Sequence, residues 1–361
     1  MSHIPFDPKE LEIVGYQKGF NPALPGTPLF KFPIPAKDNY KALLADHNGN
    51  WMPYGVETGV FCPSIIPDNI ARAFVFEAKP WGQPYSKHAD MFGINWIFVP
   101  TVGGSMEDPD YPHPLEDVND WKEIIKFPNP EEWDWKGSAE LNKDYLNNGR
   151  ANMFWFLNGM GFERLISFLG FENAAMALID EDQEDALHEL LSALTDLHIK
   201  IADLAIEAYG DGIGGFCVHD DWGSQKAPFF SFAAGKEFFV PEWKRFTSHV
   251  KGKGKLADLH SCGHIETQIE NFIEGGWQSW TPMAMNDTHA LYEKYGDKMV
   301  IGVVAPKWDP SASEEEQFEA GKKFAEKFYK PNKSAAYSLY TGIPITDAYA
   351  RGMYEASRQI G

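Results

Sequence analysis

Between Asp182 and Tyr209 the apolar residues Leu187, Leu190, Leu191, Leu194, Leu197, Ile201 and Leu204 recur at steps of three and four, with charged residues opposite. That period predicts one amphipathic helix, with Asp182 at its N-cap and Gly210 as its stop. Downstream, short apolar runs alternate with helix-period stretches. The run "DGIGGFCVHDD" is followed by a helix around 236–251, and the run "KLADLH" by a helix around 264–275. "WQSWTP" precedes a helix near 288–296, and "KMVIGVVAP" precedes a helix at 313–329. "AAYSLYTG" and a last helix from about 346 complete the chain. Strands that each lead into a helix are the pattern of βα units on a parallel sheet. A long series of them favours an α/β fold of the (β/α)8 TIM-barrel type over an open sheet. The first 150 residues are rich in Pro, Gly and aromatics and show poor periodicity. There "MFGINWIFVPT" (91–101) reads as a buried early strand, and 108–135 as surface turns around one short helix. The expected organisation is an N-terminal extension over 1–50 and a barrel over 51–361.

Composition narrows the function. The formal net charge is −20, from 32 basic against 52 acidic side chains. Such a chain repels phosphate backbones, which argues against nucleic acid as a partner. Only six residues are Arg, and none of the first 70 is. A clamp for a substrate with many carboxylates uses several Arg forks, and no cluster of them is present. The N-terminus lacks a basic region followed by an apolar run, and no unbroken apolar stretch is of spanning length. Neither secretion nor membrane insertion is expected. Cys62, Cys217 and Cys262 are few, odd in number and far apart, which fits reduced thiols in a cytoplasmic protein. No G-x-G-x-x-G follows a first strand, so dinucleotide binding is not indicated.

In a barrel the C-terminal ends of the strands carry the chemistry. Here "GIGGFCV" ends in His219, Asp220, Asp221 and Trp222, and "KLADL" ends in His260 and Cys262. "WQSW" leads to Thr281, Asn286 and Asp287, "VIGVVAP" to Lys307 and Asp309, and "YSLYTG" to Thr346 and Asp347. Residues i and i+2 of an extended segment point to one side, so His260 and Cys262 can share one metal ion. Zn²⁺ accepts imidazole nitrogen and thiolate sulfur together. A buried Cys beside a hydrogen-bonded loop His is the plainer reading of the same spacing. In "HDDWGSQ", adjacent acids at a dry site raise one pKa, which suits a proton donor or metal ligand. One Asp capping a helix or pairing with Lys226 is the alternative. Asp221 and Asp220 are the candidate catalytic residues. The aromatics of "NWIFVP", "FWFLNGMGFER" and "APFFSF" are core or the wall of a flat pocket. Trp96, Phe154, Trp155, Trp222, Gln225 and Trp280 are the candidate substrate contacts.

Taken in order, "DMFGINW", "FERLISFLG", "HDDWGSQ", "LHSCG" and "YGDKMVIGVV" resemble the uroporphyrinogen decarboxylase-like superfamily, and within it the zinc- and corrinoid-dependent methyltransferases. The resemblance runs from about Trp51 to the C-terminus and is strongest over 154–305. It implies a (β/α)8 barrel that moves a methyl group between a small molecule and the cobalt of a corrinoid held on a separate protein. It also implies zinc on a His-x-Cys pair, matched by His260 and Cys262, with a later Cys as a further ligand. The chain departs from both branches. It lacks the R-Q-A-G-R substrate motif of the decarboxylase, which argues against a highly carboxylated tetrapyrrole. It also has no Cys after Cys262. Asp221, Asp220, His219 and Asp309 are, in that order, the candidates for the third zinc ligand. The aromatic lining and scarce Arg favour a neutral aryl methyl ether and O-demethylation. A corrinoid protein is the expected partner, and superfamily members are often homodimers. Two other readings stand beside this one: a metal-free decarboxylase or lyase using Asp221, and a small-molecule-binding relative without chemistry.

Overall fold

The long apolar stripe folds as its period predicts, into a 26-residue helix over Glu184–Tyr209. Leu187, Leu190, Leu191, Leu194, Leu197 and Ile201 form its buried face. Gly210 ends it with a positive φ that favours glycine. The cap at the other end is Gln183, one residue later than expected. The computed structural model of this chain describes residues 4–18, 25–79, 87–101, 104–307, 309, 311–338 and 345–360. They fall into two compact units. One comprises Val60–Asn148 and Asn152–Trp277, the other Met1–Gly59, Gly149–Ala151 and Gln278–Gly361.

In the first unit β1 (Ala151–Phe156, in this unit from Asn152), β2 (Gly215–His219) and β3 (Leu256–His260) are parallel neighbours in that order. They are almost wholly buried, as near-continuous apolar strands in a parallel sheet should be. Three helices matter here: α1 (Phe162–Leu169), α2 (Glu184–Tyr209) and α3 (Val240–Gly252). The core between strands and helices is aromatic. Phe156 stacks on Phe216 at 5.8 Å and meets the edge of Phe246 at the same distance. The register sets Phe154 opposite Phe216 and, at the strand ends, His219 opposite His260.

The expected early strand over 91–101 is shortened and changes role. Asn95–Val99 is the middle of a three-stranded antiparallel sheet, between His88–Ala89 and Gly104–Glu107. It is therefore not a parallel strand of a βα unit. An apolar run of this length signals a strand, but not its direction.

In the second unit β4 (Ser279–Trp280), β5 (Val300–Val303) and β6 (Lys333–Tyr337) are parallel neighbours. Helix α4 (Glu314–Phe328) starts at Ser313 with a reciprocal capping box to Glu316, and α5 (Asp347–Ile360) closes the chain. Residues 339–344 of the expected strand "AAYSLYTG" lie outside the described residues. The N-terminal segment expected as an extension belongs to this unit. Its Glu10 is buried and accepts from Arg358 Nε at 2.8 Å and Tyr354 Oη at 2.7 Å, both on α5. A short antiparallel pair, Ile13–Gln17 with Thr27–Phe30, follows. Both units are thus α/β, and among the described residues neither closes an eight-stranded barrel by itself. No described helix is long and apolar enough to cross a membrane.

Candidate metal centre

Beta-strand register builds the site. Because β2 and β3 are parallel and aligned, His219 and His260 sit side by side, with rings stacked at 4.8 Å and 14°. Alternation along each strand then decides which neighbours join them. His219 and Asp221 share one side, as do His260 and Cys262, while Asp220 turns to the other. The donor atoms of His219, Asp221 and His260 all lie within 4.8 Å of one another. Cys262 Sγ is 3.3 Å from His260 Nε2. Asp221 also fixes the second loop: its Oδ1 accepts from Cys262 N at 2.6 Å. Two imidazoles and a carboxylate thus converge, with a thiol against one of the imidazoles, and all are ligand types that Zn²⁺ takes.

A residue from elsewhere orients the cluster. Glu163, at the start of α1, accepts from His219 Nδ1 at 2.5 Å. A carboxylate only accepts, so Nδ1 carries the proton of this contact, while Nε2 lies 3.8 Å from Asp221 Oδ1. A carboxylate behind an imidazole is how metal-binding His residues are held and made more basic. Arg72 lies 3.8 Å from the same carboxylate, donates to Asn158 Oδ1 at 3.0 Å, and covers the Trp96 ring at 5.0 Å.

Charges follow this geometry. Burial disfavours the His219 cation, but Glu163 and Asp221 outweigh it and raise its pKa. His260 moves the other way, to about 4, through burial and then the neighbouring His219 charge. Burial also acts against ionised Asp221, but the two imidazoles and the Cys262 N–H overcome it and lower its pKa. Burial, then the Asp221 charge, pushes the Cys262 thiol well up.

Asp220 has a different task. It is fully buried and accepts from Phe162 N at 3.2 Å, Glu163 N at 2.9 Å and Trp222 Nε1 at 3.0 Å. Its carboxylate thus serves as the N-terminal cap that Gly161 cannot supply to α1. A Cβ on Gly159 or Gly161 would collide with it, which explains the two glycines of "NGMGF". Burial, then the nearby Glu163 charge, raises the Asp220 pKa to about 7. Asp220 therefore positions Glu163, and through it His219, and does not face the cluster. Asp309 is exposed and bonds locally to the Ser311 N–H and hydroxyl.

The aromatic candidates divide in the same way. Trp155 is half-buried with its ring 5.6 Å from that of His260. Phe154 is core. Trp222 is fully buried and stacks on Trp243 at 4.3 Å, so it is core as well. Trp280 is fully buried on β4. Trp96 is buried and donates to Asp90 Oδ2 at 3.2 Å, and Gln225 is exposed in the loop after β2. Glu163, Arg72 and Asn158 were not among the residues singled out. The visible signal for Glu163 was an Glu-Arg pair opening the otherwise apolar "FERLISFLG". Arg164 of that pair is fully buried between Asp68 and Asp90.

No family model and no curated protein matches the sequence. Among solved structures, a methyltransferase from Methanosarcina mazei superposes with a TM-score of 0.56 at 13% identity, over 90% of this chain and 98% of that one. The second catalytic domain of an Ostrinia furnacalis Group II chitinase gives a TM-score of 0.35 at 9% identity, over 84% of this chain and 95% of that one. Dispersin B gives 0.29 at 11% identity, over 90% and 94%. The first likeness shows that the chain shares the fold of that methyltransferase over nearly the whole of both.

Proposed function

We propose that this protein is a methyltransferase on a (β/α)8-type scaffold, moving a methyl group between a small substrate and a corrinoid carried by a separate protein. The observation that carries the reading is the convergence of His219, Asp221 and His260, with Cys262 Sγ against His260 and Glu163 behind His219. His219 and Asp221 take the ligand role left open by the absence of any Cys after Cys262. Zinc bound there would supply Lewis acidity to the methyl-bearing heteroatom, with the partner's corrinoid as the methyl carrier.

The chain's own residues do the positioning. Glu163 fixes the tautomer of His219, and Asp221 ties the loop after β3 to the loop after β2 through Cys262 N. Trp155 supplies a flat apolar surface beside His260, which suits an aryl methyl ether and so O-demethylation. A developing phenolate gains from leaving next to a cation in a partly dry site.

Elemental analysis of untagged wild type and Cys262→Ser tests the metal. About one equivalent of zinc in the wild type, lost in the variant, is the expected result. A corrinoid-dependent demethylation assay with aryl methyl ethers follows. If wild type stays zinc-free after zinc is offered, the metal mechanism fails and a metal-free reaction using ionised Asp221 takes its place.

A further inference from the structure

A second pocket lies in the unit formed by the N-terminal segment and the last third of the chain. Its volume is about 260 Å³. Phe324 and Phe328 of α4, Tyr349 of α5, and Lys307, Lys323 and Lys327 line it. Lys323 and Lys327 are one turn apart on α4, and Lys307 lies four residues beyond β5. All three lysines are exposed, whereas the three aromatic side chains are buried. Lys327 Nζ stands 4.8 Å from the centroid of the Phe328 ring.

The charge pattern is unusual for this protein. The chain has 52 acidic residues against 32 basic ones, yet among the described residues no acidic one lines this pocket. Among the described residues none of the three ammonium groups has a carboxylate within ion-pair distance. Like charges at i and i+4 repel, so Lys323 and Lys327 oppose each other without relief. Long lysine stems can cover apolar surface while their heads gather at its rim. A pocket lined by aromatic rings and three lysines is complementary to a molecule with one apolar face and one anionic end.

We propose that this pocket binds a small organic anion with a flat apolar body, of the size and charge of a one-ring aromatic carboxylate. The ring would lie on the Phe324, Phe328 and Tyr349 side, and the carboxylate would be shared by the lysines. The volume is ample for one such ring with its substituent. This site is separate in composition from the His260 cluster, and the inference does not depend on the methyl-transfer reading.

Isothermal titration of the full chain with benzoate, and with benzamide as its neutral counterpart, tests the assignment. Benzoate should bind at one equivalent, and benzamide about tenfold more weakly or worse. The double variant Lys323→Met/Lys327→Met should lose about tenfold in benzoate affinity, whereas His260→Ala should keep it. Equal affinity for the amide, undiminished benzoate affinity in the double variant, or binding lost in His260→Ala would each overturn the proposal. Lysine acetylation read by mass spectrometry gives a check that needs no variant. Benzoate should slow modification of Lys323 and Lys327 relative to other exposed lysines, and unchanged rates count against the site.

Discussion

Arg164→Met removes the one cation from a buried cluster and leaves its surroundings intact. Arg164 is fully buried, donates to Asp90 Oδ2 at 2.7 Å and to Asp68 Oδ2 at 2.5 Å, and lies 4.8 Å above the Phe92 ring. Met keeps the apolar stem but leaves two carboxylates without their shared partner. They are not equally exposed to the loss. Asp90 still accepts from Phe92 N, Ile94 N and Trp96 Nε1, whereas Asp68 keeps only Met91 N among the bonds seen here. Breaking a buried ion pair from one side costs about 3–5 kcal/mol. The Asp68 share should dominate.

Urea denaturation at pH 7, followed by tryptophan fluorescence, should therefore show a loss of about 3–5 kcal/mol. The pH dependence gives the sharper test. Burial already raises the Asp68 pKa, with Arg164 opposing it, so removing Arg164 raises it further. A carboxyl whose folded pKa exceeds its unfolded value stabilises most at low pH and loses that contribution as pH rises. The gap between variant and wild type should thus narrow on acidification. Adding Asp68→Asn to the variant should recover part of the loss at pH 7. A loss under about 1 kcal/mol, or one that is the same at pH 5 and not relieved by Asp68→Asn, would refute the reasoning.

Two further outcomes follow from the same geometry. His198 is buried and donates to Leu194 O at 2.7 Å, and burial lowers its pKa from 6.5 to about 4. A lowered His pKa gives stability that is full above pH 6.5 and lost as pH falls through 4, worth roughly 3 kcal/mol by linkage. Wild type should lose that amount over this window relative to His198→Gln, and parallel stability curves would count against it. Glu163→Gln keeps the shape of the His219 contact but not its charge. Competitive chelator titration should find zinc held about 10-fold more weakly or worse, with thermal stability little changed. Undiminished affinity would show that His219 is not a ligand.

Local periodicity was sufficient for much of the fold. The alternation of apolar runs and helical stripes after residue 180 corresponds to the observed strands and helices, because both periods are written in neighbouring residues. The same alternation placed His260 with Cys262. Applied to "HDD", it would also have placed His219 with Asp221 and turned Asp220 away. What the sequence could not contain was the register that brings His219 against His260, since the two are 41 positions apart and meet only through parallel pairing. Nor could it show that Asp220 caps a helix that begins 58 residues earlier. The assignment of Glu163 to His219 likewise depends on where α1 starts relative to β2.

By itself, then, the sequence determined the element types, the α/β class and one half of the donor set, because each is set by spacing within a few residues. Only the folded chain set His219 against His260, put the Glu163 carboxylate behind His219, and packed Phe154 and Trp222 in the core while Trp155 stays half-exposed. Those outcomes depend on long-range pairing and burial, whose energies arise only when distant segments exclude water together.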